Sequence, residues 1–344
     1  MTAPTPPDPL PRPALDAHTH LDMIDLPVSE VVAAARTAGI ARIVTVGTDL
    51  ASSHWSARCA EEHDAVYAAV AIHPNDTEAA TGPSHLPRDP RAPHAATPSP
   101  ATSSTSSATT NPLTPSAPPT PPTPPIPTGP SVPFIPRTPS APPTSLLISV
   151  PGASAAPFLT AAEVLAEIEA LARRPRVVAV GETGLDYYRD HAAPDVQRWW
   201  FREHIKIAKR TGKALMIHDR EAHADVLRIL AEEGPPPRVV FHCFSGDVAM
   251  VKQCAEAGYV MSFAGNVTFA NAQPLRDAAA AAPPDLLLAE TDAPFLTPVP
   301  NRGRPNAPAQ VAYTLRCLAA VQGLDLAELC ETVTATADRT FGPW

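Results

Sequence analysis

From residue 14 onward the chain alternates between short apolar runs and longer segments whose apolar residues recur every three or four positions. The runs are rich in Val, Ile, Leu and Ala, with little polar alternation, as in strands buried on both faces. They predict strands at 14–20, 42–47, 66–72, 177–180, 214–217, 238–241, 259–263 and 286–289. The periodic segments predict helices at 31–39, 52–63, 161–174, 194–211, 222–232, 247–257, 272–281, 307–322 and 325–339. Ser29 reads as the cap of the first helix, Thr160 with Glu163 as a capping box, and Gly212 as a left-handed helix end. Strands alternating with helices argue for parallel pairing through helical crossovers. Eight such strands predict an α/β chain closed into a (β/α)8 TIM barrel.

The pattern fails in two places. Residues 1–13 are Pro-rich and read as a flexible tail. Residues 82–157 are mostly Pro, Ser, Thr and Ala, and hold about half of the 45 prolines. Such a composition buries too little apolar surface to offset the entropy of ordering. It predicts a disordered or polyproline II-like insertion after the third strand. The remaining stretches, 14–81 and 158–344, then form one barrel domain of 255 residues, near the ~250 typical of this architecture.

The net charge of −9 excludes a global basic footprint, so a nucleic-acid substrate would need local cations. The five cysteines (Cys59, Cys243, Cys254, Cys317 and Cys330) are scattered, which suggests a reducing compartment. No apolar run approaches the ~20 residues of a membrane span. The N-terminal residues lack the basic and apolar regions of a signal peptide. The expectation is a cytoplasmic protein with no membrane association and no obligate protein partner.

The chemistry collects at the predicted strand ends. His18 and His20 close the first strand and share a face by alternation. His73 follows the third strand, Glu182 the fourth, His218 the fifth, His242 the sixth and Asp292 the eighth. In a (β/α)8 barrel these C-terminal ends form the active-site face. His18, His20, Glu182, His218, His242 and Asp292 supply four imidazoles and two carboxylates without a thiolate. That donor set suits Zn, Mn, Ni, Co or Fe and tolerates Mg. Six ligands exceed the need of one open catalytic ion. They fit two divalent metal ions sharing a carboxylate and activating a water for hydrolysis of a phosphodiester, ester or amide.

Several motifs carry a resemblance. They are Asp16-Ala17-His18-Thr19-His20-Leu21, Ile72-His73-Pro74, Gly181-Glu182-Thr183-Gly184-Leu185-Asp186-Tyr187, Ile217-His218, Phe241-His242-Cys243-Phe244-Ser245-Gly246 and Glu290-Thr291-Asp292-Ala293-Pro294. In this order the chain resembles the TatD family of metal-dependent deoxyribonucleases, a branch of the amidohydrolase-like barrels. The likeness runs from Leu15 to the C-terminus, apart from the Pro-rich insertion. It implies that His18, His20 and Asp292 hold a first metal, His218 and His242 a second, and that Glu182 bridges them. The ions would be Mg, Mn or Zn. Asp292, or Glu290 beside it, would take the proton of the attacking water. Asp16 and Asp22 become supporting residues behind the ligands.

The resemblance further implies DNA as substrate, digested from 3′ ends of single strands. His73 would meet a phosphate, and Tyr187 and Arg189 would stack a base and pair a phosphate. In the loop 301–308 Pro305 and Ala307 stand where the family often carries Arg and Glu, leaving Arg304 and Asn306 as candidate substrate contacts. His204 and His223 read as surface or supporting residues, and Trp199, Trp200 and Phe201 as helix packing. An alternative is an amide, lactone or aminoacyl-ester hydrolase on the same barrel. Related barrels of that kind often bridge their metals with a carboxylated lysine, and no lysine follows the fourth strand here.

Overall fold

A computed structural model describes residues 3–80, 159–189, 191–342 and 344; the insertion predicted at 82–157 lies outside the described residues. The strands are β1 (Ala14–Thr19), β2 (Ile40–Val46), β3 (Val66–Val70), β4 (Val177–Asp186), β5 (Ala214–Arg220), β6 (Val239–Phe241), β7 (Val260–Phe263) and β8 (Leu287–Ala289). They pair in parallel in chain order as one eight-stranded sheet. A bridge between Thr19 and Ala293 brings the end of β8 back to β1. The result is a nearly closed (β/α)8 barrel. The helices are α1 (Val28–Thr37), α2 (Leu50–Glu62), α3 (Ala161–Ala172), α4 (Pro194–Thr211), α5 (His223–Glu233), α6 (Val248–Ala257), α7 (Gln273–Ala281), α8 (Val311–Gln322) and α9 (Leu326–Phe341). Among the described residues no helix is long and apolar enough to cross a membrane.

Two apolar layers explain why the strands read as continuous apolar runs. Leu15, Ala17, Val44, Val46, Met216, Val240 and Leu288 fill the barrel interior, with Phe341 and Trp344 packed against this cluster. Ile43, Ile168, Trp200, Phe201, Ile205, Phe241 and Leu315 fill the layer between strands and helices. Each strand therefore buries both faces.

Helix ends follow the expected chemistry in part. Thr160 and Glu163 exchange the reciprocal bonds of a capping box, and Gly212 takes the left-handed conformation after α4. Ser29 is not a cap: α1 starts one residue earlier, at Val28, with Pro27 before it. The fixed φ of proline starts that turn without a side-chain acceptor. Asp49 caps α2 through reciprocal bonds with Ser52, so that helix begins before the predicted position.

The largest departures lie in β4 and β5, which run past their apolar cores to Asp186 and Arg220. Thr183, Gly184, Leu185 and Asp186 pair with Ile217, His218, Asp219 and Arg220. Backbone pairing continues where the side chains turn polar, so hydropathy misses it. Gly184 is required in this extension. Its φ is 140°, and a Cβ there would lie 2.0 Å from the His218 carbonyl oxygen.

The flexible tail expected at 1–13 is corrected for its described residues. Leu10 is buried and its N–H donates to the Ala38 carbonyl. Thr5 exchanges bonds with the Asn301 side chain, and Arg316 donates to the carbonyls of Asp8 and Pro9. A Pro-rich segment has few donors of its own, but its carbonyls remain free to accept from side chains.

Candidate metal centre

β1 carries a register shift between Asp16 and Thr19, and β4 carries one between Val180 and Thr183. Such irregularities re-aim side chains at barrel rims. They fall where His18 and Glu182 turn toward the mouth. The six sequence-predicted ligands converge there. Nε2 of His18 and Nε2 of His20 are 3.3 Å apart. Asp292 Oδ1 lies 3.7 and 3.6 Å from these two nitrogens. On the other side His218 Nδ1 is 3.2 Å from His242 Nε2. Glu182 stands between the pairs: Oε1 is 3.8 Å from His20 Nε2, and Oε2 is 3.5 Å from His218 Nδ1 and 2.6 Å from His242 Nε2.

Each imidazole is oriented from behind. His20 Nδ1 faces the Val46 carbonyl at 3.1 Å, so that nitrogen carries the proton and Nε2 keeps its lone pair. His242 Nδ1 faces Glu290 Oε1 at 3.2 Å, and His218 Nε2 faces Asp186 Oδ2 at 3.3 Å. His18 Nδ1 lies 3.2 Å from the sulfur of Met216, in the layer below. In neutral rings the inward nitrogens are then acceptors, and they face carboxylates, which are acceptors too. Glu182 Oε2 is buried without a hydrogen-bond donor.

That arrangement fits a divalent cation. At Zn–N distances of about 2.0–2.1 Å, two ligands of one tetrahedral ion sit about 3.3–3.4 Å apart, close to the 3.3 and 3.2 Å of the two nitrogen pairs. Outer carboxylates and carbonyls that fix ring orientation are the usual support of metal-binding histidines.

The electrostatics agree. Burial alone would raise Glu182, but the facing imidazole of His242 holds it well below the carboxylate range. Burial likewise opposes charge on His20, yet Asp292 and Glu182 push it up to about 9. A field that draws protons onto these rings also favours a metal ion, which displaces such protons on binding. His73 differs. Burial takes it down to about 3, and its Nδ1 accepts from the Asn75 N–H. It is a neutral ring with its Nε2–H toward Glu182, 3.7 Å away.

Other expectations sort as follows. Glu290 is fully buried behind His242 and also accepts from the Cys243 N–H at 2.8 Å. Asp16 accepts from the N–H and hydroxyl of Thr291, tying β1 to the end of β8. Asp22 is a correction: it sits exposed on a single 3-10 turn, Leu21–Met23, where strand alternation has ended. Arg189 lines the cavity that holds His20, His73 and Glu182.

The polar groups of Tyr187, Arg304 and Asn306 are engaged within the protein. Tyr187 donates to Asp225 and accepts from Arg198. Arg304 donates to the Ala3 carbonyl and the Thr5 hydroxyl. Asn306 is buried and donates to the carbonyls of Thr291 and Phe295. His204 is fully buried, with Nε2 accepting from the Ile72 N–H and Nδ1 against the Thr183 hydroxyl. His223 pairs with Asp219 at 2.7 Å.

Asp186 is the functional residue that sequence reasoning passed over. Besides orienting His218 it accepts from Asn75 and from the N–H groups of Tyr188 and Arg189. Its signal was available: it lies four residues after Glu182, on the same face by alternation.

Comparison with known proteins shows the family of the chain. Residues 15–342 match the family model described as TatD related DNase. TatD of Mycobacterium tuberculosis, named a metal-dependent hydrolase, is 36% identical over 337 residues, covering 95% of this chain and 97% of its own. YcfH of Escherichia coli K12, named likewise, is 42% identical over 176 residues, 51% of this chain and 66% of its own. Among solved structures, YJJV, a TatD homologue from Escherichia coli K12, aligns with a TM-score of 0.68 at 22% identity, covering 95% of this chain and 97% of its own. A TatD family hydrolase from Entamoeba histolytica aligns with a TM-score of 0.66 at 14% identity, covering 97% and 100%. The two structures show the shared fold; the family match across the barrel shows that the chain belongs to the family of TatD-related DNases.

Proposed function

We propose that this metal-dependent hydrolase of the TatD type cleaves DNA phosphodiester bonds, working from the 3′ end of single strands. One observation carries the reading: Glu182 spans two pairs of inward-facing imidazole nitrogens, each pair at the spacing of ligands on one ion. His18, His20 and Asp292 would hold one ion, His218 and His242 the other, with Glu182 shared. Bound divalent ions would acidify a water and neutralise charge on the transferring phosphoryl group. Asp292 receives the proton of the attacking water. Its side chain keeps 14% of its surface exposed, whereas Glu182 keeps 5%. His73, neutral with an Nε2–H, donates to a phosphate oxygen. Glu290 and Asp186 hold His242 and His218 in register.

The test uses chelator-treated protein resupplied with Mg, Mn or Zn and oligonucleotides labelled at either end. Stepwise shortening from the 3′ end of single strands is expected only with metal present. Cleavage of amides or lactones with oligonucleotides left intact would overturn the assignment of substrate.

A further inference from the structure

We infer that Phe295 is the stacking platform for the nucleobase next to the scissile phosphate, so that the substrate is a strand end whose last base is unpaired; this rests on the DNA-cleaving reading above. Phe295 is 50% exposed, yet it lines the same cavity as His20, His73 and Glu182. Its ring meets the His20 ring at 6.1 Å between centroids and 73° between planes. The loop that carries it is firmly held. The Phe295 N–H donates to the Asp292 carbonyl at 2.8 Å, and its own carbonyl accepts from the buried Asn306 side chain. The next residue, Leu296, has a φ of 51°, and its carbonyl packs where a Cβ on Gly265 would sit, at 2.2 Å. A ring fixed half in water at the rim of this cavity offers a free π-face on which a base can stack.

Other aromatics at this mouth are already occupied. The Arg220 guanidinium lies 4.1 Å over the Tyr188 ring and Arg302 lies 4.0 Å over Phe269. Among the described residues no cation covers Phe295. Met23, 44% exposed and lining the same cavity, adds a soft apolar wall. Arg189 lines it too, exposed and without an ion-pair partner among the described residues, where the flanking phosphate of a bound strand would be. With a net charge of −9 the chain cannot rely on long-range attraction. Stacking is independent of charge and tolerates every base.

The experiment measures kcat/KM with Mn on single-stranded oligonucleotides that carry either a natural base or an abasic tetrahydrofuran residue at the 3′ end. Phe295→Ala should lower kcat/KM on the natural end by about 5- to 150-fold, the range of one base–aromatic stack. The abasic end should cost the parent protein the same factor, and Phe295→Ala should cost nothing more on it. Phe295→Trp should restore the parent rate on the natural end. Equal losses for Phe295→Ala on both ends, or none on either, would overturn the inference while leaving the nuclease reading intact. Failure of the parent protein to cleave any oligonucleotide would remove both.

Discussion

The two ends of this barrel use the same strands and treat buried polarity in opposite ways. At the end where α9 finishes, Phe341 and Trp344 pack beside Tyr67 and the interior aliphatic layer. The charges there are matched: Arg42 pairs with Asp338 and lies 4.6 Å over the Trp344 ring, and Arg238 donates to the Gly342 carbonyl. At the mouth, His18, Glu182 and His242 are buried with acceptors aimed at acceptors. Burying unmatched polar groups costs stability. The barrel tolerates that cost at the mouth because the layer beneath, from Leu15 to Leu288, supplies the packing. The contrast assigns stability to one end and chemistry to the other.

Substitutions can break or sharpen this division. The largest effect should come from the mouth. Glu182→Gln keeps the shape of the side chain and removes the shared charge, and should lower hydrolytic activity by at least about 10³-fold, or ~4 kcal/mol in transition-state terms. Metal content by mass spectrometry should fall with it while circular dichroism stays unchanged. A variant that keeps the metal content of the parent would erase the distinction between the two ends.

Next comes the opposite end. Phe341 is 2% exposed, and Phe341→Ala should cost about 3 kcal/mol of unfolding free energy, as cavities of this kind do. Denaturant titration measures it. The kcat/KM of the folded protein should stay within twofold of the parent, by about the scatter of remote sites; a large drop would show that the two ends are coupled.

His204 tests the layer between. Burial takes it down to about 3 in the folded protein, against about 6.5 in an unfolded chain. Its contribution is present above pH 6.5 and is lost as pH falls from there toward 3, because the unfolded chain binds the proton first. Between pH 7 and 5 this should remove about 2 kcal/mol of stability. His204→Asn, compared with the parent at both pH values, should flatten that slope; an unchanged slope would locate the acid sensitivity at the mouth.

The smallest effect should be a supporting one. Asp186→Asn leaves His218 in place but weakens its orienting acceptor, and metal affinity should fall about 10-fold, within the 10–100-fold range of such partners. Calorimetric titration of the chelated protein with Zn reads this directly. A loss as large as that of Glu182→Gln would make Asp186 a ligand and not a support.

Much of this was legible in the chain. His18, His20, Glu182, His218, His242 and Asp292 stand at predicted strand ends, and barrel closure alone brings such ends together. The Thr160–Glu163 capping box is likewise local chemistry that needs no partner from afar. Less legible was everything that depends on a distant acceptor. Arg304 read as a substrate contact because nothing nearby in sequence claims it, whereas the N-terminal segment does so across nearly the whole chain. The extensions of β4 and β5 were hidden because hydropathy records side chains and the ladder is made by backbone.

By itself the sequence determined the fold class, the alternation of strand and helix, and the set of donors at the strand ends, since each follows from local periodicity and residue type. Only the tertiary structure decided which nitrogen of each imidazole faces inward, that Glu182 stands between the two pairs, and that Phe295 is held out beside them. Those are properties of register shifts and of hydrogen bonds between residues far apart in the chain, and no local pattern encodes them.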